Sequence, residues 1–261
     1  MIDKLKKIIN ESQNIVVFTG AGVGTESGLK DFRSSDGLYK EKLEHEPEYY
    51  LSSDCFFNDT KNFFDYYRKN MNFLKTKPNI VHEYLKELED KGKLKAVITQ
   101  NIDGLDKKAG IKNVLEIHGT IYKNYCVKCH KEYNPEVIFD NNTIPHCDCG
   151  GLIKPEVTLY GESLPECFSL AIDEVRSCDT LIVMGTSLTV NPACFLVRYF
   201  KGHNLVIINK DITPYDDIAN LVIHDKLSDV IKKNKMIEIS SFYIKTNSIA
   251  STLLFSCSSK V

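Results

Sequence analysis

Four cysteines in two tight pairs constrain this chain more than any other feature. Cys126-Val-Lys-Cys129 is followed, after residues 130–146, by Cys147-Asp-Cys149. Thiolates two or three positions apart can close on one metal, and two such pairs complete a tetrahedral zinc site. The residues between the pairs, among them Lys131, Asn134, Asp140, Asn141, Asn142 and Pro145, are polar and loop-like. They are too few to bury a core of their own, so a metal would supply the folding energy that the segment lacks. The second pair has one intervening residue where two are usual. A redox Cys-x-x-Cys or four unconnected cysteines are the alternatives, and no thioredoxin-like context surrounds either pair. Four thiolates leave no open coordination position, so the site is expected to be structural and the chemistry to lie elsewhere.

The rest of the composition is that of an ordinary globular protein. Of 261 residues, 43% are hydrophobic and 26% charged, enough for one large domain with an inserted module or for two domains. With 33 basic against 35 acidic residues and a net charge of −2, neither nucleic acid nor an anionic membrane is the expected partner. Met1-Ile-Asp-Lys-Leu-Lys-Lys opens an amphipathic helix without an apolar signal core. No apolar run is long enough to span a bilayer. Nine cysteines without a secretion signal predict a reducing, cytoplasmic setting. Cys55, Cys167, Cys178, Cys194 and Cys257 then read as small apolar fillers.

Short runs of mostly β-branched residues at Asn14–Thr19, Leu94–Thr99, Thr180–Met184, Leu205–Ile208 and Leu221–Ile223 predict strands buried on both faces. Helical patterns fall between them at Ile80–Lys91, Leu164–Ser177, Pro192–Phe200 and Leu227–Lys233, with Pro192 suited to a first turn. This alternation predicts an α/β fold with a doubly wound, mostly parallel sheet. Two stretches interrupt it. Lys30–Lys77 is aromatic-rich and partly helical (Asn62–Lys69), and Thr120–Pro155 is the cysteine module. The tail Ser240–Val261 is serine-rich, with one apolar patch at Ile249–Phe255.

After the first strand comes Gly20-Ala-Gly22-Val-Gly24-Thr25-Glu26-Ser27-Gly28. Such glycines let backbone N–H groups approach a pyrophosphate at a helix N-terminus, although a ligand-free tight turn would use them too. A dehydrogenase would next show a second strand ending in an acidic residue for the ribose. The chain instead enters the polar segment Lys30–Tyr39, which counts against hydride transfer. Three further polar clusters end strands where open α/β sheets bind ligands: Thr99–Asp103, Gly185-Thr186-Ser187 and Asn209-Lys210-Asp211. Glu116-Ile-His118-Gly119 adds an imidazole just before the cysteine module, and a lone His is more often structural than catalytic.

Taken in order, Gly20-Ala-Gly22, Asp31-Phe32-Arg33, Thr99-Gln100-Asn101-Ile102-Asp103-Gly104, His118-Gly119, the four cysteines, Tyr160-Gly161-Glu162, Gly185-Thr186-Ser187-Leu188 and Asn209 resemble the sirtuins. These are NAD-dependent protein-lysine deacylases, and the likeness, to a bacterial-type member, runs from about Leu5 to Val230. It implies a Rossmann-like NAD-binding domain (1–29, 78–119 and 156–239), a cofactor loop and helical module (30–77), a zinc module (120–155) and a tail of no assigned role (240–261). It also implies NAD as co-substrate, one structural zinc on Cys126, Cys129, Cys147 and Cys149, and acetyl-lysine proteins as partners.

Carried over by residue, the resemblance puts the NAD phosphates on Gly20, Ala21, Gly22 and Thr25. It makes Asp31, Phe32, Arg33 and Tyr39 the cofactor loop. Gln100 would hold the nicotinamide ribose and Asn101 a ribose or a pocket water, while Asp103 would accept from the nicotinamide carboxamide with Ile102 packing beside it. Gly185, Thr186, Ser187, Asn209, Lys210, Asp211 and Leu227 would contact the phosphate and adenosine half. His118, with Asn101, would be catalytic. Val157, Tyr160, Gly161 and Glu162, facing Leu188 and Val190, would receive the substrate peptide as an added strand. The chain departs from the family at Gly24 (usually Ser), Lys30 (commonly Pro), Asp106 (often His) and Tyr160 (commonly Phe). Sirtuins that prefer acidic acyl groups share a Tyr-x-x-Arg pair, which is absent here; its nearest counterpart is Asp65-Tyr66-Tyr67-Arg68. An ADP-ribosyltransferase and a non-catalytic NAD-binding protein are the competing readings.

Overall fold

The structure, a computed structural model, describes residues 1–31, 37 and 43–236. Phe32, Arg33, Tyr39, Cys257 and the tail 240–261 lie outside the described residues. Helix α1 (Ile2–Glu11) leads into β1 (Ile15–Thr19), and a short α2 (Ala21–Thr25) carries the glycine loop. Then come α3 (Pro47–Tyr50), α4 (Ser53–Asn58), α5 (Thr60–Met71) and α6 (Ile80–Asp90), which precede β2 (Leu94–Thr99), α7 (Leu105–Lys108) and β3 (Val114–Glu116). The cysteine segment supplies β4 (Gly119–Cys126), β5 (Glu132–Tyr133), α8 (Glu136–Phe139) and β6 (Ile153–Val157). The chain returns through α9 (Cys167–Ser177), β7 (Thr180–Met184), a 3₁₀ turn (Ala193–Tyr199), β8 (Asn204–Ile208) and β9 (Leu221–Ile223). A last helix, α10, occupies 227–236.

Six strands form one sheet in the order β3-β2-β1-β7-β8-β9, every neighbour parallel. Successive strand residues point to opposite faces, and both faces are apolar here. Ile15, Val17, Val97, Ile182, Met184, Val206 and Ile208 pack against α1, α6 and α10. Val16, Phe18, Ala96, Ile98, Leu181, Val183, Leu205 and Ile207 pack against α9 and the 3₁₀ turn. Successive strands build outward from β1 in one direction and from β7 in the other. The topological switch point therefore lies at the C-terminal ends of β1 and β7, where such sheets open a crevice.

The helical and cysteine segments join into one smaller unit. Phe56, Phe63, Phe64, Tyr67 and Met71 share a core with Ile121, Ile138, Val157 and Leu159, beside the antiparallel sheet β5-β4-β6. Its strands carry no clear apolar alternation in sequence, and β3 and β4 to β6 are not among the expected ones. Two expected helices differ in detail. The first begins at Cys167 instead of Leu164, because Pro165 disfavours helical backbone in the residue before it. The Pro192–Phe200 segment is a 3₁₀ turn, with Phe195 N donating to Pro192 O (3.0 Å) and Phe200 N to Val197 O (3.2 Å).

The start of α6 ties the large domain to the glycine loop. Asn79 Oδ1 accepts from Val81 N (2.9 Å), while Asn79 Nδ2 donates to Val23 O (2.9 Å) and Ser27 Oγ (2.8 Å). His82 Nδ1 accepts the Asn79 backbone N–H (3.2 Å). That role needs a neutral imidazole, and burial pushes the His82 pKa down from 6.5 to about 4. A base with a depressed folded pKa contributes stability that is full above its unfolded pKa and falls as pH drops. Up to about 3 kcal/mol should therefore be lost between pH 6.5 and 4. Urea midpoints at pH 7.5 and 4.5 check this, and the acid-induced drop should be clearly smaller in His82→Gln.

Candidate active site

A cavity of about 760 Å³ opens at the switch point and runs under the smaller unit. Its floor is two glycine turns locked back to back. Gly20 N donates to Met184 O (3.2 Å) and Gly22 N to Gly185 O (2.8 Å). A Cβ on Gly22 would stand 2.8 Å from Gly185, and one on Gly20 would stand 2.7 Å from Thr186 Cβ. The first demand on these glycines is thus contact between the two turns. Gly20, Ala21, Gly22, Thr25, Gly185, Thr186 and Ser187 all line the cavity. Thr25 Oγ1 is bonded to Gly22 O at 2.8 Å.

The turn after β2 is pinned to the same floor. Gln100 Nε2 donates to Thr19 O (3.2 Å) and Thr186 Oγ1 (3.0 Å), and Asn101 Nδ2 donates to Gly20 O (3.0 Å). Asp103 is 4% exposed and accepts Leu105 N at 2.9 Å. Burial pushes its pKa up to about 6, against the Leu105 hydrogen bond. Behind it, burial and then the Asp103 charge push Asp106 up to about 7. Asp106 Oδ1 has no hydrogen-bond partner among the described residues. Two buried carboxyls this close cannot both ionise cheaply. The departure at Asp106 therefore places a second buried carboxyl behind Asp103, where burial favours the protonated form.

His118 Nδ1 lies 3.0 Å from the Gln100 carbonyl. An acceptor there assigns the proton to Nδ1 and leaves Nε2 with the lone pair. Burial lowers the His118 pKa, with the Gln100 carbonyl opposing, so the ring is neutral near pH 7 and able to accept a proton. Its backbone is fixed by Thr158 N donating to His118 O (2.9 Å). Next to it, Gly119 sits at φ 76°, and a Cβ there would meet Glu156 O at 2.0 Å. Only glycine fits this crossing.

The cavity also receives Asp31, Ile102, Asn209, Lys210, Asp211 and Leu227, and on the other flank Val157, Tyr160, Gly161, Glu162 and Val190. Asn209 Nδ2 donates to Asp211 O (2.8 Å), and its carbonyl meets His224 Nδ1 (2.9 Å). Leu188 is the exception. At φ 53° and 2% exposed, it turns back into the core under α9 and is absent from the cavity wall. Sequence reasoning missed an apolar wall made by Leu51, Tyr67, Met71 and Phe73. The signal was present in α5, where Phe63, Tyr67 and Met71 recur every four residues on one buried face.

In the cysteine module, the four Sγ atoms of Cys126, Cys129, Cys147 and Cys149 lie within 4.8 Å of one another. Cys126–Cys149 and Cys129–Cys147 are each 3.5 Å apart. A zinc with bonds of about 2.3 Å sets tetrahedral sulfur–sulfur edges near 3.8 Å, so the set fits one structural zinc. Backbone N–H groups of Lys128 and Cys129 donate to Cys126 Sγ (3.4 and 3.5 Å), as outer-shell support for a thiolate requires. A Cβ on Gly151 would stand 2.6 Å from Cys126 Sγ.

The Sir2 family model matches residues 20–192. The NAD-dependent protein deacetylase of Clostridium acetobutylicum is 51% identical, covering 88% of this chain and 96% of that protein. Its counterpart in Staphylococcus aureus is 48% identical, also over 88% of this chain and 96% of that protein. A Sir2 structure with a deacetylated p53 peptide and 3'-O-acetyl ADP-ribose superposes at a TM-score of 0.83 with 36% identity, covering 92% of this chain and 98% of that one. Sir2 bound to acetylated peptide gives a TM-score of 0.79 at 34% identity, with 92% and 98% covered. Sequence, fold and the cysteine cluster agree, and the chain belongs to the Sir2 family.

Proposed function

We propose that this chain is an NAD-dependent protein-lysine deacetylase. The observation that carries this reading is His118. Its Nδ1 is committed to a backbone carbonyl, and it lines the same cavity as the glycine turns, Asp103 and the Val157–Glu162 segment. The glycine turns, Thr25, Thr186 and Ser187 hold the dinucleotide phosphates. Asn209, Lys210, Asp211 and Leu227 hold the adenosine half, and Gln100 and Asn101 the second ribose. Asp103 accepts from the nicotinamide carboxamide, with Ile102 beside it. Asp31, Phe32, Arg33 and Tyr39 form the cofactor loop. Val157, Tyr160, Gly161, Glu162 and Val190 receive the peptide, and Leu188 contributes by its backbone alone.

In the reaction, nicotinamide leaves the ribose with the bonding pair, and the acetamide oxygen of acetyl-lysine bonds to the vacated carbon. Holding the two reactants in line supplies the orientation that the attack needs, without an activated side chain. His118 takes a proton from a ribose hydroxyl, whose oxygen then adds to the imidate carbon. Water completes the transfer, giving free lysine and O-acetyl-ADP-ribose, and NAD is consumed. Incubation with NAD and an acetyl-lysine peptide should release nicotinamide and deacetylated peptide one to one. Labelled ADP-ribose on protein with intact acetyl-lysine would instead make it an ADP-ribosyltransferase. Absence of nicotinamide would reduce it to an NAD-binding protein. The proposed setting is the cytoplasm, and no helix among the described residues is long and apolar enough to cross a membrane.

The acyl end of the cleft is apolar. Arg68, the candidate cation for an acidic acyl group, is committed elsewhere: Nε donates to Ile138 O (2.7 Å), another guanidinium N–H donates to Thr143 O, and the group lies over Phe64. It is not part of the cavity wall. A succinyl carboxylate would be buried without a partner, and roughly 3 kcal/mol of that penalty corresponds to a rate ratio of about 100. Acetyl peptide should therefore exceed its succinyl counterpart in kcat/KM by about that factor. Comparable rates on matched peptides would sink the assignment of an apolar tunnel.

A further inference from the structure

The segment that faces the substrate peptide stands between two hollows. Val157, Thr158 and Glu162 line the main cavity and also a second cavity of about 500 Å³ on their other side. Val157 and Leu159 are seated in the aromatic core, and Thr158 N donates to His118 O, so these contacts fix the strand itself. The Glu162 turn, which lies between the two cavities, needs a further tie. The Lys154 ammonium supplies it from the side of the second cavity, where the residue is 4% exposed. Its Nζ donates to Val157 O (3.0 Å), Glu162 Oε2 (3.0 Å) and, more weakly, Pro155 O (3.4 Å). Three acceptors match the three donors of an ammonium, so the buried charge is fully satisfied. Glu162 Oε2 also accepts the Leu159 N–H at 2.9 Å. One cation thus joins the end of β6 to the turn at Glu162, one residue from the N–H that holds the His118 backbone.

We propose that Lys154 is a positioning residue for the protein substrate, a strut that holds Val157–Glu162 at the spacing a peptide strand requires. It does this without touching NAD, since Lys154 is not part of the main cavity wall. Removing one partner of a buried, hydrogen-bonded ion pair strands the other charge. The segment would then relax toward the second cavity. This inference rests on the peptide-cleft reading above, and its test separates the two.

Steady-state kinetics on Lys154→Met and Lys154→Arg carry the first arm. Lys154→Met should raise the KM for acetyl peptide about tenfold or more while the KM for NAD stays within about twofold. Lys154→Arg, which keeps the charge and donors, should recover most of the loss. A purely structural role would lower activity without favouring one substrate, and equal changes in both KM values would overturn the proposal. Amide hydrogen exchange on the ligand-free protein carries the second arm and needs no turnover. Exchange at Leu159 should quicken about tenfold in Lys154→Met, or in Glu162→Gln if the Met variant does not fold, while β1 and β7 are unaffected. Unchanged exchange there overturns the strut. A wild-type protein inactive on acetyl peptide overturns the functional reading instead, leaving the exchange result to judge Lys154.

Discussion

His118→Ala should lower deacetylation turnover by about 10²- to 10⁴-fold, the range that a positioned general base supplies, while NAD still binds. The separation is expected because the turns and side chains proposed to cradle the dinucleotide are held by other bonds, and the imidazole meets the Gln100 backbone carbonyl and not its side chain. Gly20, Gly22, Gln100 and Asn101 bond to Met184, Gly185, Thr19, Thr186 and Gly20. The pH profile adds an independent check. Burial lowers the His118 pKa from its ordinary 6.5, and the basic form is the active one. Activity should therefore hold through neutral pH and fall only on an acid limb below about 6.5. Single-turnover assays and NAD titration of the variant settle the matter, and near-wild-type turnover would remove His118 from the mechanism.

Stripping the metal should have an effect at least as large. Structural zinc contributes an apparent 10–16 kcal/mol in small modules, on the order of the 5–15 kcal/mol that stabilises a whole domain. The loss would not stay local. Strand β4 begins at Gly119, beside His118, and β6 ends at Val157 in the segment proposed to face the peptide. The Ile121, Ile138 and Val157 side chains share one core with α4 and α5. Chelation, or Cys147→Ser, should expose that core to proteolysis and abolish activity while the parallel sheet keeps its far-ultraviolet signal. Elemental analysis should find one zinc per chain, and a metal-free protein that is folded and fully active would defeat this account.

The sheet strands and the cysteine cluster were legible because each is written locally. Five short β-branched runs read as buried parallel strands, and they form β1, β2, β7, β8 and β9. Two cysteine pairs at ligand spacing could close on a single metal whatever the segment between them did. The glycine loop, Thr99–Asp103, Gly185–Ser187 and His118 were legible through motif order, and the fold collects them at one switch point.

Tertiary structure alone decided the rest, because those properties depend on residues far apart in sequence. The apolar wall needs α5 brought beside Ile102 and Val157. Leu188 looked like a cleft residue until its left-handed backbone turned it into the core. Asp106 is an ordinary surface acid in the sequence and becomes a buried neighbour of Asp103 only when α7 packs down. Lys154 reads as one basic residue among many. It becomes a buried strut because folding brings its ammonium to Val157 O and Glu162 Oε2, and burial makes a charged donor too costly to leave unpaired.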